Sequence, residues 1–296
     1  MMAPIFNETV GKAAACEPCE KSKDILRHMV LNSLRSNTVL HKKYGNVVLG
    51  CDSGSWRREV FPEYKYERRQ KRKNDDSGID WNFVHELQTE LIEDIKKYFP
   101  YTVVKVNSAE GDDIIAVMVE YLNSIATENV FGDKELEEIL IVSSDADYIQ
   151  LHKNKNVKQF NPRLKKLVKT SQTSIHAALM EKIVKGDKGD GVPNIRSSND
   201  TFVLGTRQKP ISQDFLDELT KAKDPLELLD PELKKNFLRN KQLVAFTEIP
   251  ATLKEQIIAE YVVQSTNRPK NKMNLMNYFV ENGLNQLYEK VGDFYA

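Results

Sequence analysis

Residues 139–147 read Ile-Leu-Ile-Val-Ser-Ser-Asp-Ala-Asp. Four apolar residues, most of them β-branched, predict a short buried strand at 139–143. Two aspartates follow just past its end. In open parallel α/β sheets, ligands bind outside the carboxyl ends of the strands. Asp145 and Asp147 therefore stand where chemistry is done, and the other acidic groups of the chain are expected to converge on them.

The same pattern repeats outward from this stretch. Upstream, Tyr101–Val106 reads as a strand, and Glu110-Gly-Asp-Asp113 opens a helix that runs to about Ile125. Asp80 can cap a helix with Trp81, Val84, Leu87, Leu91, Ile95 and Tyr98 facing inward. Asn46–Cys51 is another buried strand, followed by Asp52, and Lys21–Ser36 is amphipathic with Ile25, Leu26, Met29, Val30 and Leu34 on one face. Downstream, Val157–Phe160 and Leu164–Lys169 form a small hairpin, and Thr173–Lys185 is a helix ended by Gly186. Beyond residue 190 strand signals fade, and helices are expected near 212–222, 231–246, 252–264 and 273–290. Alternating strands and helices predict an α/β fold with a mostly parallel central sheet and helices on both faces. A helical C-terminal domain follows. The expected domains are 1–170 and 171–296.

Composition excludes several classes. The chain has 296 residues, 40% apolar and 29% charged, with a formal net charge of zero, as in an ordinary globular protein. It has no run of 18 apolar residues and no basic start followed by an apolar block, so neither a membrane span nor a secretory signal is expected. Three cysteines exclude a disulfide scaffold. Cys16-Glu-Pro-Cys19 has redox-motif spacing but no preceding strand and no second ligand pair, so ordinary thiols are the expectation.

The acids of interest are Asp52, Glu110, Asp112, Asp145, Asp147, Asp187 and Asp190. The last two lie in Gly186-Asp-Lys-Gly-Asp-Gly191. A single Asp at a strand end or helix start is usually a cap or a turn former. Several such groups at matching topological positions point instead to hard-cation binding, by magnesium or manganese. Without a cation, clustered carboxylates would raise one another's pKa. Two divalent ions about 4 Å apart could clamp a phosphodiester. Asp187–Gly191 is not an EF-hand, His85-Glu86 lacks a zincin's second histidine, and no Walker lysine motif occurs.

Trp56–Lys73 carries Arg57, Arg58, Lys65, Arg68, Arg69, Lys71, Arg72 and Lys73 interleaved with Phe61, Tyr64 and Tyr66. Basic residues contact phosphates, and aromatic faces stack on unpaired bases. A solvated charged helix is the commoner fate of such runs. The position right after Asp52 favours nucleic acid.

Taken together, Asp52 with Trp56-Arg-Arg-Glu-Val-Phe-Pro-Glu-Tyr-Lys-Tyr-Glu-Arg68, Ala109-Glu-Gly-Asp-Asp113, Val142-Ser-Ser-Asp-Ala-Asp147 and Gly186-Asp-Lys-Gly-Asp-Gly-Val-Pro193 resemble the motifs of the 5′-nuclease (flap endonuclease) family. The likeness runs from about residue 20 to the end and is greatest to the family's T-even-type bacteriophage branch.

The resemblance implies a magnesium-dependent 5′-to-3′ exonuclease and flap endonuclease with ribonuclease H activity. Two Mg²⁺ ions, replaceable by Mn²⁺, would be held by Asp52, Glu110, Asp112, Asp145 and Asp147, with Asp187 and Asp190 in the second metal region. Lys65 and Arg68 would meet the scissile phosphate. Arg57, Arg58, Tyr64, Arg69 and Lys188 would add contacts to DNA. The substrates would be DNA and RNA–DNA duplexes with 5′ ends or flaps, in lagging-strand replication. A monomer in the cytoplasm of an infected host cell, in contact with a phage single-stranded DNA-binding protein, is implied as well.

Two features depart from the family. Its first strand, ending in Asp near the start of the chain, has no counterpart here, and the first aspartate, Asp24, falls inside a helix. The expectation is a truncated reading whose true start lies upstream of Met1, or else a structure-specific DNA-binding protein with weakened catalysis. The family's Asn after the second hairpin Asp is Gly191.

Overall fold

A computed structural model describes residues 20–74, 80–126 and 135–296. The Cys16/Cys19 pair and the start of the chain lie outside the described residues. The described residues form two compact units, each assembled from separated segments: 20–53, 80–125 and 254–296 in one, 54–74, 126 and 135–253 in the other.

In the first unit, α1 (Glu20–Leu40) buries Leu26, Val30, Leu31 and Leu34, a stripe at helical spacing. Ile25, expected on that face, is exposed, because the stripe runs one residue further round through Leu31. β1 (Val48–Cys51) pairs in parallel with β2 (Thr102–Lys105), Val48 facing Thr102. Helix α4 (Trp81–Tyr98) buries Val84, Leu87, Leu91, Ile92 and Ile95, and Asp80 caps it by accepting from the Asn82 and Phe83 amides. Two short helices of the other unit, α2 (Arg57–Val60) and α3 (Tyr66–Lys73), precede it in the chain. Helix α5 (Gly111–Ser124) follows β2. An aromatic cluster closes this core: Phe99 meets Phe294 at 5.3 Å, Tyr278 at 5.6 Å and Phe279 at 5.8 Å.

The second unit holds β3 (Ile139–Val142), parallel to β4 (Val157–Asn161), with β5 (Lys166–Leu167) antiparallel to β4 as the expected hairpin. Among the described residues the strands form two hydrogen-bonded sheets, one in each unit, and the pairings β1–β2 and β3–β4 are parallel, as an α/β fold with a mostly parallel sheet requires. Helices α6 (Gln172–Lys185), α7 (Gln213–Lys221) and α8 (Pro231–Val244) pack around Met180, Ile183, Val184, Val192, Ile195, Leu219 and Phe237.

Helix α9 (Ala251–Thr266) leads into α10 (Lys272–Glu281) and α11 (Asn285–Tyr288). The expected single helix at 273–290 is broken at Gly283, whose φ of +64° ends α10 in the left-handed conformation. Among the described residues no helix is long and apolar enough to cross a membrane.

Candidate active site

The first unit carries one acidic group. Asp52 leaves β1 exposed, and its Oδ1 accepts from the Gly111 amide at 2.6 Å. Ser53 N donates to Ala109 O and Ser108 N to Ser53 O, so the β1 exit and the start of α5 are tied together. Two glycines permit the approach. A Cβ on Gly50 would lie 3.0 Å from Gly111 O, and one on Gly111 would lie 3.2 Å from Asp52 Oδ1.

Glu110, Asp112 and Asp113 offer carboxylate oxygens within 4.8 Å of one another at the first turn of α5. Unsatisfied amides and the helix dipole make that end favourable for negative charge. Glu110 and Asp113 also form a reciprocal capping box. The donor set is all hard oxygen, and this close grouping fits a divalent cation. Asp113, fully buried, was not among the residues expected to hold metal. The adjacent Asp112-Asp113 pair was its signal, and it reads equally well as a cap.

The second unit carries the other group. Asp145 is exposed just beyond β3, and its Oδ1 accepts from the Asp147 amide at 3.0 Å. Gln159, 1% exposed on β4, donates to Ser143 O at 2.9 Å and Asp145 O at 2.7 Å, which fixes this loop on the sheet. Lys182, on α6, reaches both Asp147 and Asp187 with its ammonium, 2.8 Å from Asp187 Oδ2. Its spacing in the sequence does not mark Lys182, which shares its helix with Lys185.

Burial, with the charges of Asp145 and Asp187, holds the Asp147 carboxyl above its ordinary range despite the ammonium. Burial acts the same way on Asp187, but Lys182 and the amides of Asp190 and Gly189 outweigh it and bring Asp187 below its ordinary range. Lys182 is also partly buried, yet its two carboxylate partners raise its pKa. Asp147 and Asp187 thus share one ammonium. A cleft of about 380 Å³ opens beside them, lined by Ala146, Asp147, Gln150, Ala178, Lys182 and Gly186.

The turn bearing Asp187 and Asp190 is closed by paired Asp187–Val192 backbone bonds of 2.8 Å. Gly186, with φ +73°, is required there: a Cβ would lie 2.3 Å from Val192 O. Asn240, wholly buried on α8, donates to Ile183 O at 2.7 Å and Pro193 O at 2.9 Å and so clamps both ends of the turn.

The basic stretch divides sharply by exposure. Arg58 and Arg68 are exposed and Lys65 is half-buried, while Lys188, in the Asp187–Asp190 turn, is exposed as well. Arg57, expected to contact DNA, is instead 2% exposed, and its Nε donates to Leu243 O at 2.7 Å. Tyr64 is also 2% exposed and donates to Asp190 Oδ2 at 2.8 Å, so its ring is not a stacking surface. Arg69 turns back onto its own chain, donating to Pro62 O at 2.9 Å and to Tyr64 O. A charge run alone does not show which members face inward, as Arg57 and Tyr64 do, or which fold back on their own chain, as Arg69 does.

The class of protein follows from comparison with known families. Residues 15–183 match the 5′-3′ exonuclease N-terminal resolvase-like domain, and residues 173–294 match the T4 RNase H C-terminal domain. The chain belongs to the 5′-3′ exonuclease family and is a nuclease. Among individual relatives, ribonuclease H of Enterobacteria phage T4 is 32% identical over 279 residues, which is 91% of this chain and 87% of that protein. Two solved structures share the fold at 15% identity. One is a bacteriophage T5 flap endonuclease in a pseudo-enzyme–product complex with DNA and metal ions, at TM-score 0.58 over 88% of this chain and 97% of the other. The second is a T5 5′-exonuclease with divalent zinc bound, at TM-score 0.57 over 89% and 97%.

Proposed function

We propose that the chain is a magnesium-dependent 5′-to-3′ exonuclease and flap endonuclease acting on DNA and RNA–DNA duplexes. Its task is removal of RNA primers and adjacent DNA in phage lagging-strand replication, in the cytoplasm of the infected cell. The observation that carries the reading is the grouping of Glu110, Asp112 and Asp113 oxygens within 4.8 Å, in a member of a 5′-3′ exonuclease family.

Asp52, Glu110 and Asp112 would hold divalent metal in the first unit, and Asp145, Asp147, Asp187 and Asp190 in the second, two Mg²⁺ in all or Mn²⁺ in their place. The bound metal supplies charge neutralisation and an activated water for phosphodiester hydrolysis. The chain's own cations do the rest of the electrostatic work. Lys65 and Arg68 meet the scissile phosphate, while Arg58 and Lys188 contact the backbone without reading sequence. A monomeric state and contact with a phage single-stranded DNA-binding protein belong to the same reading.

The test is cleavage of a 5′-flap duplex with and without magnesium, beside a gel shift in EDTA. Asp145→Asn is expected to lower cleavage at least about a hundredfold, as for loss of an essential group, with binding little changed. Lys65→Ala and Arg68→Ala should each lower the rate more than the affinity. Near-parent cleavage by the Asp145 variant overturns its assignment. Binding without cleavage by the parent chain would make the protein a structure-specific DNA binder.

A further inference from the structure

Asp190 gathers the basic segment around itself. Its carbonyl accepts from the Lys65 amide at 2.7 Å, and its Oδ2 accepts from the Tyr64 hydroxyl at 2.8 Å. Arg68 Nη2 lies 3.1 Å from its Oδ1, and Lys65 Nζ lies 3.8 Å from its Oδ2. Both carboxylate oxygens and the carbonyl are thus engaged by a single short stretch of chain.

That stretch is built to dock there. Phe61 and Tyr64, each 2% exposed, sit in the second core with Met180, Ile183, Val192 and Ile195. Lys65 has a φ of +55°, a left-handed conformation that is strained for a lysine and persists only where its surroundings over-determine it. Here the Asp190 carbonyl holds its amide, and Arg69 ties down the carbonyls of Pro62 and Tyr64 just before it. Gly191 makes the approach possible: at φ +72°, a Cβ would lie 3.2 Å from Glu63 O and 3.4 Å from Lys65 N. Gly191 is the residue that lets the two backbones touch.

We propose that Tyr64 and Asp190 are positioning residues that fix Lys65 and Arg68 for cleavage. This rests on the nuclease reading above, in which those two cations meet the phosphate. A role for Asp190 as a metal ligand alone gives the Tyr64 hydroxyl no part in the reaction.

The experiment uses the full chain and its Tyr64→Phe, Asp190→Asn and double variants. Tyr64→Phe keeps the buried ring and removes only the hydroxyl. It is expected to lower kcat on a 5′-flap duplex about tenfold, the scale of a small misplacement of catalytic groups, with KM within about twofold and the magnesium midpoint unmoved. Trypsin should cut within residues 65–73 several-fold faster than in the parent, and the double variant should lose no more than Asp190→Asn alone. Parent-like rate and parent-like trypsin resistance in Tyr64→Phe would overturn the proposal. So would losses that multiply in the double variant. A parent chain that cleaves nothing removes the nuclease reading, and the trypsin comparison alone then decides whether Asp190 holds the segment.

Discussion

Lys182 bridges Asp147 and Asp187, with its ammonium donating to Asp147 Oδ1 and lying 2.8 Å from Asp187 Oδ2. The acids come from elements far apart in the chain, the β3 exit and the turn after α6, so this cation joins two halves of one acidic group. Lys182→Met would leave two half-buried carboxylates facing each other. Breaking a partly buried pair costs about 1–3 kcal/mol, or roughly 2–10 °C in Tm. Melts in EDTA should show that loss, and magnesium should restore part of it by supplying the missing charge.

The pH dependence has a definite sign. Asp187 is held below its ordinary range, so its contribution is present above that range and lost as pH falls through the lowered value. Asp147, raised by burial, gives up its charge earlier in the same descent. The gap between parent and Lys182→Met should close on acidification. Equal melts in EDTA at neutral pH would show that the bridge contributes nothing.

Much of this site is legible in the sequence because strand ends mark it. A β-branched run followed by Asp145 and Asp147 needs no partner elsewhere in the chain to be read. Asp52 and the Glu110 group follow the same logic. What local pattern lacks is reach across the chain. Lys182 lies 35 residues from Asp147, and Asp190 lies 126 from Tyr64. The basic run shows the same limit, since eight cations in sequence say nothing of which ones pack inward. Arg57 and Tyr64 face the second core, so their charge and ring serve the fold.

Gly186 and Gly205 make a matched pair for testing backbone strain. Both have positive φ, +73° and +64°, but a Cβ on Gly186 meets backbone at 2.3 Å and one on Gly205 meets nothing within 4 Å. Gly205→Ala is expected to cost about 1 kcal/mol, the left-handed penalty alone. Gly186→Ala adds a clash that only movement of the Asp187–Val192 turn relieves, so it should cost about 2–4 kcal/mol and weaken cleavage as well. Urea melts of the two variants decide this, and equal midpoints would remove the special place of Gly186.

Cys51 ends β1 at 1% exposure, and burial pushes its thiol up to about 11. The thiolate is the reactive form, so at pH 8 only about one in a thousand Cys51 side chains can react. In a Cys16→Ser/Cys19→Ser background, a disulfide-exchange reagent such as DTNB should leave the native chain unmodified over minutes. In guanidinium it should modify one thiol fully. Fast native reaction would mean that the β1 edge opens readily or that the thiol is not buried.

Arg57 and Arg58 are neighbours with opposite expected behaviour. Arg57 is buried, with its guanidinium 4.8 Å over the Trp56 ring and its Nε on Leu243 O. Arg57→Ala opens a cavity and strips a buried carbonyl of its donor, for a loss of about 2–4 kcal/mol. Arg57→Lys should recover little, since an ammonium cannot lie flat on the ring and reach the same carbonyl. Arg58 is exposed, so Arg58→Ala should leave the melt within about 0.5 kcal/mol of the parent. Its effect belongs in binding. Loss of one phosphate contact lowers the slope of log affinity against log salt by roughly one unit. Paired melts and salt titrations on a 5′-flap duplex separate the two roles. A stable Arg57→Ala variant with a shallower salt slope would return Arg57 to the DNA surface and overturn its place in the core.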